Sequence, residues 1–191
     1  MRISNHDNTV QDLFNPNPEI LYSVNEPDGD ASPWVEAPAG SVSVETGSPS
    51  IEWHKVGTEN ADTDWVGVGF LQETFTYDEF TDGGAAVGTM TFTGSIPVGA
   101  VVKQSYVTGV TGFAGDTSAA LTIGDGSDAD RYNTSTVDVF TTAAHLSAGA
   151  VSGTAWHTAA VQPVLTITAG SDWGAVTAGQ LTVTIEFVIP G

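Results

Sequence analysis

The chain has 191 residues, a length that fits one domain of ordinary size or a small domain with an extended N-terminal segment. Only four Lys and Arg residues stand against 23 Asp and Glu residues, so the net charge is −19 and the surface repels nucleic-acid phosphates and anionic membranes alike. We therefore expect neither nucleic acid nor a membrane among the partners, and the absence of cysteine excludes disulfides and thiolate metal sites.

The composition favours strands. Thr, Val and aromatic residues are plentiful, whereas the helix-forming Lys, Arg, Gln and Leu are scarce. Hydrophobic residues make up 40% of the chain, which is enough for a core, and the 22 Gly and 9 Pro supply turns. We predict an all-β protein. The N-terminal sequence lacks the apolar segment of a signal peptide, so no export signal is expected.

Residues 1–40 are predicted to form an extended attachment arm, because five prolines in this range exclude long helices and central strands. A disordered tail is the alternative. Apolar residues that a solvated tail would not need favour an arm that docks onto another protein. The candidate attachment residues are Leu13, Phe14, Ile20, Leu21, Tyr22, Trp34 and Val35.

Residues 41–70 are predicted to form a short β-meander with strands at Ser41–Glu45, Ser50–Val56 and Asp64–Val68. A turn at 46–49 and a polar loop at 57–63 separate these strands. So small a sheet is marginal by itself, so partner chains or the C-terminal domain must cover its apolar side chains. We predict that it forms an oligomer interface. The interface residues would be Val42, Val44, Ile51, Trp53, Trp65 and Val68.

Residues 71–191 are predicted to form a β-sandwich or jelly roll, because eight strands separated by Gly-rich turns follow one another in this range. Alternation is clearest in the last strand, where apolar residues at every second position predict one buried face. A turn near Thr142–Leu146 is the one helical candidate. The predicted strands are Thr74–Phe80, Val87–Thr93, Ala100–Thr108, Ser118–Ile123, Val137–Thr141, Thr154–Ala159, Val164–Thr168 and Leu181–Ile189.

Three motifs follow one another in residues 40–68: GSV at 40–42, IEWHKVGT at 51–58 and TDWV at 63–66. A Gly-Ser turn opening, a Lys-x-Gly-Thr loop and an Asp-Trp ending in this order resemble a short module of trimeric phage fibre and spike proteins. Glu59 stands where that module usually has a second glycine. The resemblance implies a homotrimer.

A second set of motifs lies farther along: SIPVGAVV at 95–102, FAGDTSAALTIG at 113–124 and TAGQL at 177–181. This set resembles the jelly-roll-like C-terminal domain of tailed-bacteriophage head fibre and capsid decoration proteins. The resemblance implies a structural protein on the outer surface of the virion, made in the bacterial host cytoplasm. It also implies the major capsid protein or another virion protein as partner, and it implies no catalysis.

The loop at residues 124–130 carries Asp125, Asp128 and Asp130, whose oxygens are ligands that Ca²⁺ accepts. The loop lacks the spacing of an EF-hand, and a solvated Asp-Gly turn is the favoured interpretation. These three residues are the only metal candidates. We expect no cofactor.

Catalytic patterns are missing from the sequence. No Gly-x-Ser-x-Gly elbow occurs, and the four histidines lack metal-binding spacing, so each is interpreted as a surface or packing residue. We predict that the chain is not an enzyme. Trp156, His157 and Trp173 could form an aromatic sugar-binding face, although aromatic residues in strands are more often part of a core.

The leading functional hypothesis is therefore a trimeric head fibre or capsid decoration protein. The main alternative is a tail fibre or spike that recognises a host surface glycan. A polysaccharide-degrading enzyme is disfavoured by the missing catalytic spacing, and a secreted carbohydrate-binding module is disfavoured by the missing export signal.

Overall fold

The structure is a computed structural model that describes residues 2–5, 19–23, 39–45, 48–57, 64–133, 136–140, 145–151 and 156–191. Side chains are described in these ranges except in 2–5, 19–23 and 145–150. Within the described ranges, no helix is long and apolar enough to cross a membrane.

The described part of the chain is all-β with two short 3₁₀ turns, at Tyr77–Glu79 and Trp173–Ala175, which confirms the predicted fold class. The strands are β1 Arg2–Asn5, β2 Glu19–Ser23, β3 Val42–Glu45, β4 Ser50–Lys55, β5 Trp65–Thr76, β6 Thr81–Asp82, β7 Val87–Thr91, β8 Val101–Ala114, β9 Ala119–Gly124, β10 Val137–Asp138, β11 His145–Ala150, β12 Val164–Ala169 and β13 Ala178–Ile189.

The chain divides into two compact units. The first unit comprises Met1–Phe70 and Val188–Gly191, and the second comprises Leu71–Phe187. In the first unit the strands follow one another in the order β1 to β5. The pairs β1–β2 and β2–β3 are parallel, whereas β3–β4 and β4–β5 are antiparallel.

Side chains in β4 and β5 of the first unit alternate between a buried and a more exposed face. Ile51, Trp53 and Trp65 are at most 5% exposed. Gly67 lies directly opposite Trp53, and a Cβ atom at Gly67 would lie 3.0 Å from two atoms of the Trp53 ring. Glycine is therefore favoured here by the close approach of the indole to the backbone of β5.

The second unit contains two sheets, with strand orders β5-β13-β8-β11 and β10-β9-β12-β7-β6. The alternation predicted for the last strand is confirmed, because every second residue from Leu181 to Phe187 is fully buried. Aromatic rings pack between the elements of this unit. The ring centroids of Phe75 and Phe92 are 4.9 Å apart, and those of Phe80 and Trp173 are 5.3 Å apart. These features agree with a β-sandwich. A jelly-roll connectivity stays a prediction.

Several predicted elements differ in the structure. The separate strands at Asp64–Val68 and Thr74–Phe80 are one strand, β5, followed by the Tyr77–Glu79 turn. This turn begins at Thr76, whose backbone N–H donates to the Glu79 carboxylate at 2.7 Å. Such a capping contact stabilises a helical turn at the point where a strand would otherwise continue.

The predicted helical turn near Thr142–Leu146 is also wrong in its described part. Residues 142–144 lie outside the described ranges, and His145–Ala150 form strand β11, which pairs antiparallel with β8. The predicted strand at Thr154–Ala159 is reduced in its described part to one isolated bridge between Trp156 and Val101. Strand pairing with β8 therefore decides the structure of both segments.

Candidate interaction surfaces

The first candidate surface is the outer face of β3, β4 and β5 in the first unit. Its apolar residues, named here the valine face, are Val42, Val44, Val66, Val68 and Phe70. The four valines have intermediate burial, whereas the side chain of Phe70 is 46% exposed. In a chain of charge −19, an apolar cluster on an outer face is a candidate surface for a partner.

The strand register aligns the valine face in rows across the sheet. His54 lies between Val42 and Val66, and Glu52 lies between Val44 and Val68. His54 Nε2 and Glu52 Oε1 are 2.8 Å apart, and both side chains are about half exposed. A polar pair therefore separates two apolar columns.

The structure divides the six predicted interface residues between two faces. Val42, Val44 and Val68 belong to the valine face, whereas Ile51, Trp53 and Trp65 are buried within the single chain. Partner chains are therefore not needed to bury the two tryptophans. An oligomeric role for the six residues stays a prediction, and the valine face is the part of the set that a partner can reach.

Two residues of the valine face, Val66 and Phe70, were missed by the sequence analysis. The run VGVGF at 66–70 carries the necessary information, because two glycines alternate with apolar residues in the pattern of a strand. Glycines in a strand also indicate close approach of another group, which here is the Trp53 indole against Gly67.

The predicted attachment residues lie where side chains are not described. Leu13, Phe14 and Trp34 lie outside the described residues, and only the backbone is described at Ile20 and Tyr22, both in β2. β2 pairs with β1 on one side and with β3 on the other, so the expectation that prolines exclude central strands from residues 1–40 is wrong for Glu19–Ser23, a segment that itself contains no proline. Attachment through these residues stays a prediction.

The acidic loop after β9 does not bring three carboxylates together. Asp125 Oδ1 accepts hydrogen bonds from the backbone N–H groups of Ser127 and Asp128, and Asp125 Oδ2 lies 2.8 Å from Arg131 Nε. Among the described residues, no group of three His, Asp or Glu side chains is arranged to hold a metal ion. The loop is an Asx turn closed by an ion pair.

The segment at Trp156 and His157 is fixed to the start of β8. The backbone N–H of His157 donates to the Ala100 carbonyl at 2.9 Å, and the Gly99 N–H donates to the His157 carbonyl at 2.8 Å. His157 is buried, and its Nε2 lies 3.0 Å from the Tyr132 hydroxyl oxygen. Burial lowers the pKa of His157 and raises that of Tyr132. Trp156 itself is 58% exposed.

The alternative in which Trp156, His157 and Trp173 form one aromatic face is wrong, because His157 and Trp173 are both buried, and the favoured interpretation of Trp173 as a core residue agrees with the structure. The Trp173 indole is buried, and its ring centroid lies 6.3 Å from that of Phe113 in the core of the second unit. A Cβ atom at Gly88 would overlap the Trp173 ring, so the indole occupies space that the missing side chain leaves free. Trp156 therefore stands alone as the exposed tryptophan among the described residues.

Polar side chains cover the outer face of β5, β13 and β8 in the second unit. Glu186 accepts hydrogen bonds from Gln104 Nε2 at 2.6 Å and from the Tyr106 hydroxyl at 3.3 Å. Gln72 Nε2 donates to the Thr184 hydroxyl oxygen at 2.7 Å. These contacts join neighbouring strands and present amide, hydroxyl and carboxylate groups together on one face.

Comparison with known proteins leaves the family of this chain open. No protein-family model and no curated protein matches it. A chain of the cyanophage Pam1 capsid asymmetric unit matches with 19% identity and a TM-score of 0.42, over 65% of this chain and 85% of that one. The low-affinity xylan-binding module CBM86 of Roseburia intestinalis matches with 16% identity and a TM-score of 0.38, over 61% of this chain and 96% of the module. Likenesses this distant assign no function.

Proposed function

We propose that this chain is a non-enzymatic structural protein of a phage virion that assembles as a homotrimer and decorates or projects from the outer capsid. Self-association would proceed through the valine face. The observation that carries the assembly is the 46% exposure of Phe70, which follows Val66 and Val68 along β5 on a sheet face that also carries Val42 and Val44. In a closed ring of three copies, the valine face of each subunit would lie against a neighbouring copy, so three-fold symmetry would bury it on every subunit.

Two further observations support this proposal. The motifs at residues 40–68 and 95–181 resemble those of trimeric phage fibres and capsid decoration proteins. The described fold is an all-β one with a sandwich-like second unit, as expected for a projecting structural domain. Attachment to the major capsid protein is assigned to the arm at residues 1–40, whose apolar residues stand in an acidic context.

The proposal is tested on purified parent particles with a gold-labelled antibody against the second unit. We expect label over the capsid surface, in numbers that scale with capsid subunits. Label confined to the tail tip would reject capsid decoration, and particles that lack the protein would reject a virion role altogether.

A second candidate function is recognition of a host glycan by a tail fibre or spike. The exposed Trp156 favours it, because a large aromatic side chain on a fixed backbone is a common contact for a ligand. The antibody experiment separates the two locations on the particle, whereas glycan binding is a property of the isolated protein.

A further inference from the structure

Trp156 combines high exposure with a backbone that is paired to the start of β8. Its own bridge to Val101 and the two backbone hydrogen bonds of the neighbouring His157 hold the segment against β8. The buried contact between His157 and Tyr132 fixes it from the inside. A tryptophan side chain has only two rotatable bonds, so on a paired backbone it loses little conformational freedom when a ligand binds, and its exposed area is available to stabilise a complex.

The strand register places Trp156 on the polar outer side of the sheet. Ala100 and Val102 are buried on the inner side, so Val101 between them points outward, and its partner Trp156 shares that side. Farther along β8 the alternation shifts by one residue, because Lys103 and Gln104 are both accessible, so Tyr106, whose two neighbours are buried, points to that same side. The six residues from Val101 to Tyr106 span at most about 17 Å along the strand.

Hydrogen-bonding groups lie along the same side of the strand. Gln104, Tyr106 and Glu186 form one connected cluster, with Glu186 accepting from both of the others. Each of these side chains is only partly buried. Each also keeps bonding capacity that its partners do not use: the second amide hydrogen and the carbonyl of Gln104, the lone pairs of the Tyr106 oxygen and the second carboxylate oxygen of Glu186.

We infer that Trp156 and the cluster of Gln104, Tyr106 and Glu186 form a binding surface for a neutral polysaccharide. The face of an indole packs against the C–H groups of a sugar ring, while amide, phenol and carboxylate groups bond its hydroxyls. A chain of charge −19 repels sulfated, phosphorylated and uronic acid polymers, which disfavours anionic glycans as ligands.

This inference rests on the second candidate function, glycan recognition, and is independent of self-association and of the place of the protein on a particle. The test uses the full chain and a panel of immobilised neutral oligosaccharides, with sulfated and uronic acid oligosaccharides beside them. We expect binding to at least one neutral glycan and to none of the anionic ones. Trp156→Ala should weaken that binding by about tenfold or more, as truncation of a central aromatic contact does.

Matched variants distinguish direct contact from altered folding. Trp156→Tyr keeps an aromatic face and should retain most of the affinity, and Glu186→Gln should weaken binding several-fold. Val98→Ala removes another apolar side chain, 61% exposed, and should leave binding unchanged. Each variant should keep the circular dichroism spectrum and the melting temperature of the parent protein within a few degrees.

Three results would overturn the inference. The first is the absence of binding to every neutral glycan at millimolar concentration, and the second is unchanged binding by a folded Trp156→Ala variant. The third is loss of self-association by that variant, which would show that a second copy of the chain binds at Trp156. Phe70→Ser separates the proposals, because it should dissociate the oligomer while the glycan is still bound. If the protein does not form a trimer, glycan binding by the surface around Trp156 can still be measured on the monomer.

Discussion

Replacement of Phe70 by Ser is the sharpest perturbation of the valine face. A phenylalanine side chain has an accessible area of about 200 Å². Since 46% of Phe70 is exposed in the single chain, about 90 Å² is available for burial against a partner. At about 25 cal/mol per Å², that area is equivalent to about 2.3 kcal/mol per copy, or roughly a 50-fold weaker association at each contact.

The same side chain is also half buried within its own chain. Removing the ring should therefore lower the free energy of unfolding by about 2 to 3 kcal/mol, which denaturant titration of the monomer measures separately. Sedimentation velocity across a concentration series measures the association. Phe70→Leu keeps most of the apolar area and should assemble, as should Val98→Ser, which changes an exposed apolar residue outside the valine face. A folded Phe70→Ser variant that assembles as tightly as the parent chain would refute the reasoning.

Four further predictions concern the second unit. Trp173→Ala should lower the free energy of unfolding by about 3 to 5 kcal/mol in denaturant titration, because the indole is buried among aromatic rings, and a loss below about 1 kcal/mol would place it outside the core. Burial lowers the pKa of His157, so below about pH 6.5 the unfolded chain binds more protons than the folded chain. The free energy of unfolding should therefore decrease as the pH is lowered below 6.5, by up to about 1.4 kcal/mol per pH unit. His157→Gln should remove this slope. The backbone N–H groups of Asp172 and Ser171 hold the pKa of Asp116 well below its usual 3.8. The stability that these hydrogen bonds add to the folded chain should therefore be complete above pH 3.8 and be lost as the pH falls further. Asp116→Asn should lower the free energy of unfolding more at pH 7 than at pH 2, and equal losses would contradict this. Chelator should leave the melting temperature unchanged, because Asp125 is already bonded within its loop, whereas a decrease would reveal a bound cation.

Regular alternation made much of the fold predictable. Strands such as β9, β12 and β13 bury every second residue against one core, and that period of two is visible in the sequence. Glycine was the main source of error. Gly67 and Gly69 interrupt the pattern of β5, yet the strand continues through both, because the first accommodates the Trp53 indole. Gly109 adopts a positive φ of 59° inside β8, which extends well beyond its predicted end at Thr108.

The candidate surfaces were harder to predict than the strands. Trp156 and Trp173 have similar sequence surroundings, but the structure buries one and exposes the other through contacts that are distant in sequence, such as those of Trp173 with Phe80 and Phe113. The cluster around Glu186 likewise depends on which strand lies beside β13. Pairing of strands far apart in the chain is set by the whole core, and local patterns do not encode it.

The mass of the protein released intact from purified parent particles tests the proposed function most directly. Native mass spectrometry should find an assembly of three copies of the 19.7 kDa chain. Release of a strict monomer at micromolar concentration would contradict assembly through the valine face, and absence of the chain from the particles would contradict the virion assignment itself.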